Sequence, residues 1–163
     1  MPTIANSSWL DLAGYGVTTA ATAELAWGIT TPKPFTSSDP GINVALVLGR
    51  ANDPTTLLSE SWAQRQQTLQ ELSASKTLWS TYGADSTLFN SVVSDLGSAP
   101  YNLKVLDATN SNYVTSAESR TIWVQIDSPA AFSNLFGTTL YYSSKNDGIW
   151  YWDGNLSLPG QWN

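Results

Sequence analysis

An α+β sandwich, with helices laid over one face of an antiparallel sheet, is the fold class this sequence predicts. Three observations predict it. Ile42 to Arg50 alternates apolar and other residues at strand period, Asp85 to Gly97 repeats apolar residues at helical period, and Thr121 to Leu140 fits a strand, a capped helix and a second strand into one short run.

The elements follow in order. Before Gly41, small and polar residues surround isolated aromatics, and Thr31 to Gly41 (TPKPFTSSDPG) reads as a loop ending in a turn. Residues 1–40 are therefore expected to be a partly irregular arm, some of it packed, because Trp9, Tyr15, Leu25 and Trp27 are costly to expose. In the first strand Ile42, Val44, Leu46 and Leu48 share one face, and Asn43, Ala45 and Val47 the other. Asp53 and Pro54 supply a cap and a favourable first residue for a helix from Pro54 to Ser73. Leu58, Trp62, Leu69 and Leu72 form its apolar stripe, and Arg65 falls on that stripe with its stem along it and its head expected in water.

After a connection holding Trp79 and Tyr82, Asp85 caps a second helix whose apolar face is Leu88, Phe89, Val92, Val93 and Leu96; Gly97 stops it and Pro100 prevents its continuation. Leu103 to Ala108 reads as a strand, followed by a polar loop up to Arg120. In the next strand Ile122, Val124 and Ile126 face the core, while Trp123 and Gln125 face away. Asp127 or Ser128 caps the helix carrying Phe132, Leu135 and Phe136, Pro129 suits its first turn, and Gly137 ends it. Finally LYYSS and GIWYW flank an Asp147-Gly148 turn, as in a β-hairpin. The order is that of a ferredoxin-like sandwich, βαββαβ, with an extra helix and a C-terminal hairpin.

Such a sheet leaves one face without helices. Trp123 and Gln125, one of Tyr141 or Tyr142, and the pair Trp150 and Trp152 are expected there. A face this apolar is covered either by the N-terminal arm or by another protein.

Composition narrows the functional classes. The 163 residues suit one domain, and charged residues are only 12%, against about 25% in ordinary domains, which suits an exported protein or one working in acid. The net charge is −6, and the seven Lys and Arg are scattered without a basic stripe, so nucleic acid is not an expected partner. No apolar run reaches the length of a membrane span, so no membrane partner is expected either. With no His and no Cys, a Ser-His-Asp triad, a Cys-His pair and the common zinc sites are excluded. The thirteen Asp and Glu are dispersed, and Asp53, Asp85, Asp127, Asp147 and Asp153 stand at cap or turn positions. No phosphate-binding glycine loop or calcium-loop pattern occurs. No catalytic residue, metal site or cofactor is expected.

The run TIWVQIDSPAAFSNLFGTTL, with FGTTL ahead of an aromatic hairpin and SLP near the end, resembles the pro-kumamolisin type activation domain of the sedolisin family of serine-carboxyl peptidases. The match is most specific from Thr121 to Pro159 and weak before Gly41; the long helix after Asp53 departs from the family's pattern. The SGTS-like motif and the catalytic Glu and Asp of the family's enzyme domain are not in this chain. The resemblance implies a secreted or extracytoplasmic propeptide that assists folding of its cognate peptidase, inhibits it, and is released at low pH. It further implies an activation domain at residues 41–159, residues 160–163 as the start of a linker toward the peptidase, and a chain that is monomeric when isolated. On this reading Trp123, Gln125, Trp150 and Trp152 contact the peptidase, and Leu156, Ser157, Leu158 and Pro159 run toward its catalytic cleft. Two rival readings are a secreted aromatic-rich module that binds protein or carbohydrate, which the eight Trp keep open, and an enzyme using paired carboxylates.

Overall fold

The computed structural model describes residues 4, 33–107, 112–143, 149–152 and 154–162. The arm residues Trp9, Tyr15, Leu25 and Trp27, the Asp147-Gly148 turn and Asp153 lie outside the described residues. The fold is mixed α+β with antiparallel sheets. It divides into two compact units, one of Asn43–Gly97 and Lys104–Val124, the other of Met1–Ile42, Ser98–Leu103 and Gln125–Asn163.

Strands β1 (Ile42–Val47), β2 (Lys104–Leu106) and β3 (Thr121–Ile126), which belong to the first unit except for Ile42, Gln125 and Ile126, form a sheet in the order β1-β3-β2. The alternation in the sequence is realised physically. On β1 Leu46 is buried while Asn43, Ala45 and Val47 are exposed, and on β3 Ile122 and Val124 are fully buried. Four helices join β1 to β2: α1 (Thr55–Ser59), α2 (Trp62–Ala74), α3 (Leu78–Tyr82) and α4 (Ser86–Leu96). The last begins where Asp85 accepts the Leu88 amide at 2.8 Å, packs beside β2, and buries Phe89, Val92 and Leu96.

The helix expected as one piece over 54–73 is two helices. Glu60 is extended, and Ser61 restarts the helix with a capping box: its side chain accepts from the Gln64 amide, and Gln64 accepts from the Ser61 amide. The expected stripe does not reach a core either, since α2 buries no residue and Trp62 is 72% exposed. Arg65 also differs from expectation. Its guanidinium donates to the carbonyls of Leu57, Leu58 and Glu60, neutralising the C-terminal end of α1 instead of standing in water.

Trp79 and Tyr82, expected in a connection, belong to α3, which ends at Gly83. A Cβ there would collide with the Trp79 carbonyl and meet the Ala117 carbonyl at 2.8 Å, both backbone atoms that cannot swing aside. Gly83→Ala is therefore expected to cost about 1 to 3 kcal/mol, read as a lower urea midpoint at unchanged slope.

In the second unit, α5 (Pro129–Phe136) packs against β4 (Leu140–Ser143), which pairs antiparallel with β5 (Ile149–Trp152). Ser128, not Asp127, caps α5, accepting the Ala131 amide at 3.2 Å. Gly137 ends the helix at φ 72, the left-handed conformation that glycine adopts without steric cost. Phe132, Leu135, Phe136, Leu140 and Tyr151 form the buried centre. The hairpin is a two-stranded sheet of its own. Lys33 to Phe35, expected as loop, lies along its β4 edge: Pro34 bridges Tyr141, the Phe35 amide donates to the Leu140 carbonyl at 2.8 Å, and the Tyr142 amide donates to the Lys33 carbonyl at 3.2 Å.

Candidate functional site

The face of the β1-β3-β2 sheet opposite buried Ile122 and Val124 is the candidate site. Strand alternation puts Asn43, Ala45 and Val47 on that face of β1 and Trp123 on that face of β3, the central strand. Val47 is 61% exposed, which is unusual for a β-branched residue within a strand, and Val114 in the preceding loop is 50% exposed. Trp123 is half-buried. Its cover comes from the chain itself, in a loop that the sequence marked only as polar. Tyr113 packs edge-on against the indole with ring centroids 5.1 Å apart, and the Asn43 side-chain amide donates to the Tyr113 hydroxyl at 2.6 Å. Nearby, Thr115 joins two strands: its hydroxyl donates to the Leu106 carbonyl at 2.6 Å and accepts the Trp123 amide at 2.9 Å, taking over where the three-residue β2 ends. The loop thereby fixes Trp123 in place. Gln125, half-buried, follows on the same side of β3.

Trp150 and Trp152 stand on β5 of the two-stranded hairpin, not on the β1-β3-β2 sheet. Register pairs Trp150 with Tyr142 and Trp152 with Leu140, so it is Tyr142 rather than Tyr141 that shares their face. The Trp150 ring lies 4.5 Å from Tyr142 and packs edge-on at 5.1 Å against Phe35, which is only 1% exposed. Trp150 thus helps build its own unit. Tyr141 stacks on Tyr151 on the opposite side, with 14° between the rings.

The C-terminal segment is likewise engaged. The Leu156 carbonyl accepts the Ile4 amide at 2.8 Å, and the Ser157 amide donates to the Phe136 carbonyl at 3.0 Å. Leu158 is half-buried and Pro159 buried. Residues Gly160–Trp162 form a 3₁₀ turn, with Trp162 8% exposed and its ring 5.3 Å from Tyr101. Ser157 is therefore tied to the end of α5.

Among the described residues no group of three or more Asp and Glu could hold a metal ion, and no helix is long and apolar enough to cross a membrane. Among the described residues, Asp53 has a shifted carboxyl group. Asp53 accepts from the hydroxyl and the amide of Thr55 at 2.7 and 2.9 Å, and these bonds hold its pKa below 3.8. A pKa lowered by folding contributes stability above the unfolded value, and the contribution fades as pH falls through the folded value. The difference in melting temperature between the parent and Asp53→Ala is accordingly expected to narrow on acidification from about pH 6 to about pH 2. A gap independent of pH would assign the effect to the helix start alone.

No family model, curated protein or solved structure matches this chain.

Proposed function

We propose that the chain is the activation domain of a sedolisin-type serine-carboxyl peptidase, a propeptide that assists folding of the enzyme and inhibits it until acid releases it. The observation that carries this reading is the sidedness of the sheet: β3 buries Ile122 and Val124 on one side and presents Trp123 beside exposed Ala45 and Val47 on the other. An apolar face with a tryptophan braced at its centre has the chemistry of a protein interface, where aromatic anchors dominate the binding energy. The β1-β3-β2 order supports the finer ferredoxin-like plan, in which the first and third strands are neighbours.

The surroundings of Trp150 move the proposed contact onto Trp123, Gln125 and Val47. Burying this face in a stable complex would remove on the order of 1,600 Å² from water. The acid trigger cannot reside in a histidine of this chain, which has none. Carboxylates paired with cations of the enzyme serve instead. Their pKa is lower in the complex than in the free chain, so binding is strongest above about pH 4 and weakens as pH falls through the bound value. Inhibition of a sedolisin-type peptidase by the isolated chain tests the reading. Tight inhibition near neutral pH supports it, and a folded chain that inhibits no such enzyme refutes it.

A further inference from the structure

Beside α1 and α3 lies a groove of about 390 Å³ whose lining has two kinds of chemistry. Its apolar lining includes Leu57, Leu58 and Trp79, of which Leu58 and Trp79 are each 59% exposed. Arg50 and Arg120 also line it. These are two of only seven Lys and Arg in a chain of net charge −6, so the groove is a positive site on an acidic protein.

Both guanidiniums are oriented by backbone. Arg50 donates one N–H to the Tyr82 carbonyl at 2.9 Å, and Arg120 donates one to the Leu48 carbonyl at 2.9 Å. Neither makes an ion pair among the described residues, which leaves most of the five donors of each guanidinium uncommitted. Arg120 also has an uncommon backbone. Its φ is 59, in the tight turn closed by its amide on the Ala117 carbonyl at 3.2 Å. A long side chain in that region costs about 1 kcal/mol or more relative to glycine. A long side chain at that backbone cost points to a use for its guanidinium, of which one N–H goes to the Leu48 carbonyl.

We infer that this groove binds the C-terminal carboxylate of a peptide ending in an apolar or aromatic residue, with Arg50 and Arg120 holding the carboxylate and the terminal side chain lying on Leu57, Leu58 and Trp79. Arginine forks match a carboxylate in bidentate geometry, and the apolar lining accounts for selection of the residue that bears it. The groove is larger than a single aromatic acid fills, which favours a peptide terminus over a small acid. Glu118 also lines the groove and repels a bound carboxylate. The inference is independent of the peptidase reading, because it rests on residues outside the sheet face.

Titration with acetyl-Ala-Ala-Phe, observed through the indole N–H resonance of Trp79 and assigned with Trp79→Phe, tests it. The resonance is expected to shift saturably. The same peptide as its C-terminal amide is expected to bind about tenfold or more weakly, as is phenylacetate. Arg120→Gly relieves the backbone strain, so the variant is expected to keep its melting temperature while losing about tenfold or more in affinity; Glu118→Gln is expected to bind more tightly. Equal binding of acid and amide, or an unchanged affinity in folded Arg120→Gly and Arg50→Gln, would overturn the assignment. Phenylacetate binding as tightly as the tripeptide would overturn the peptide as occupant.

Discussion

Phe132→Ala is expected to lower the unfolding free energy by about 3 to 5 kcal/mol, read from urea unfolding at constant slope. Phe132 is 2% exposed and packs against Phe136 at 4.8 Å, so truncation removes transfer energy and leaves a cavity among neighbours that cannot all move in. Trp62→Ala makes the informative contrast. Both residues stand on apolar helical stripes in the sequence, yet Trp62 is 72% exposed and lies on a helix with no buried residue. Its loss is expected to change stability by about 0.5 kcal/mol or less. Comparable losses for the two variants would place α2 in a core and contradict the fold described.

Val47→Asp is expected to leave the free chain folded and to abolish tight inhibition of a sedolisin-type peptidase. Val47 is 61% exposed on the edge strand β1, so the folded chain loses little packing, about 1 kcal/mol or less. In a complex that covers this face, the same change buries an unpaired carboxylate, costing about 2 kcal/mol or more, which is about thirtyfold in the inhibition constant. Trp123→Ala is expected to weaken inhibition as strongly. It also removes the ring against which Tyr113 packs, so its stability must be measured alongside. Val47→Asp isolates binding from folding more cleanly. An inhibition constant unchanged by either substitution would move the contact away from this face.

Local chemistry made much of the fold legible. Alternation on β1 and β3, the Asp85 cap, Pro129 in the first turn of α5 and Gly137 at its end are signals carried within a few residues, and each element forms where those signals stand. The break between α1 and α2 was equally local but masked. Helical spacing from Leu58 to Trp62 continues across Glu60 and Ser61, and the Ser61/Gln64 capping box was the sign that a new helix starts there. Stripe periodicity by itself does not establish burial, as Trp62 demonstrates.

The remaining features depend on partners distant in sequence. Prolines around Phe35 signal a loop, and only the presence of β4 turns Lys33 to Phe35 into a paired edge that covers Trp150. Tyr113 over Trp123 is another such contact: a hydrogen bond from Asn43, seventy positions away, holds the ring. The candidate face was thus half legible. Its anchor Trp123 followed from strand period, whereas the separation of Trp150 and Trp152 into another sheet required the strand order.

The inhibition constant of the isolated chain against a sedolisin-type peptidase, measured from about pH 3 to about pH 7, tests the central claim most directly. Tight inhibition is expected near neutrality, weakening through the carboxylate range and lost at the acid end, with Val47→Asp weaker by about thirtyfold or more near neutrality. A folded chain that inhibits at no pH, or one whose inhibition is flat with pH and indifferent to Val47, would contradict it.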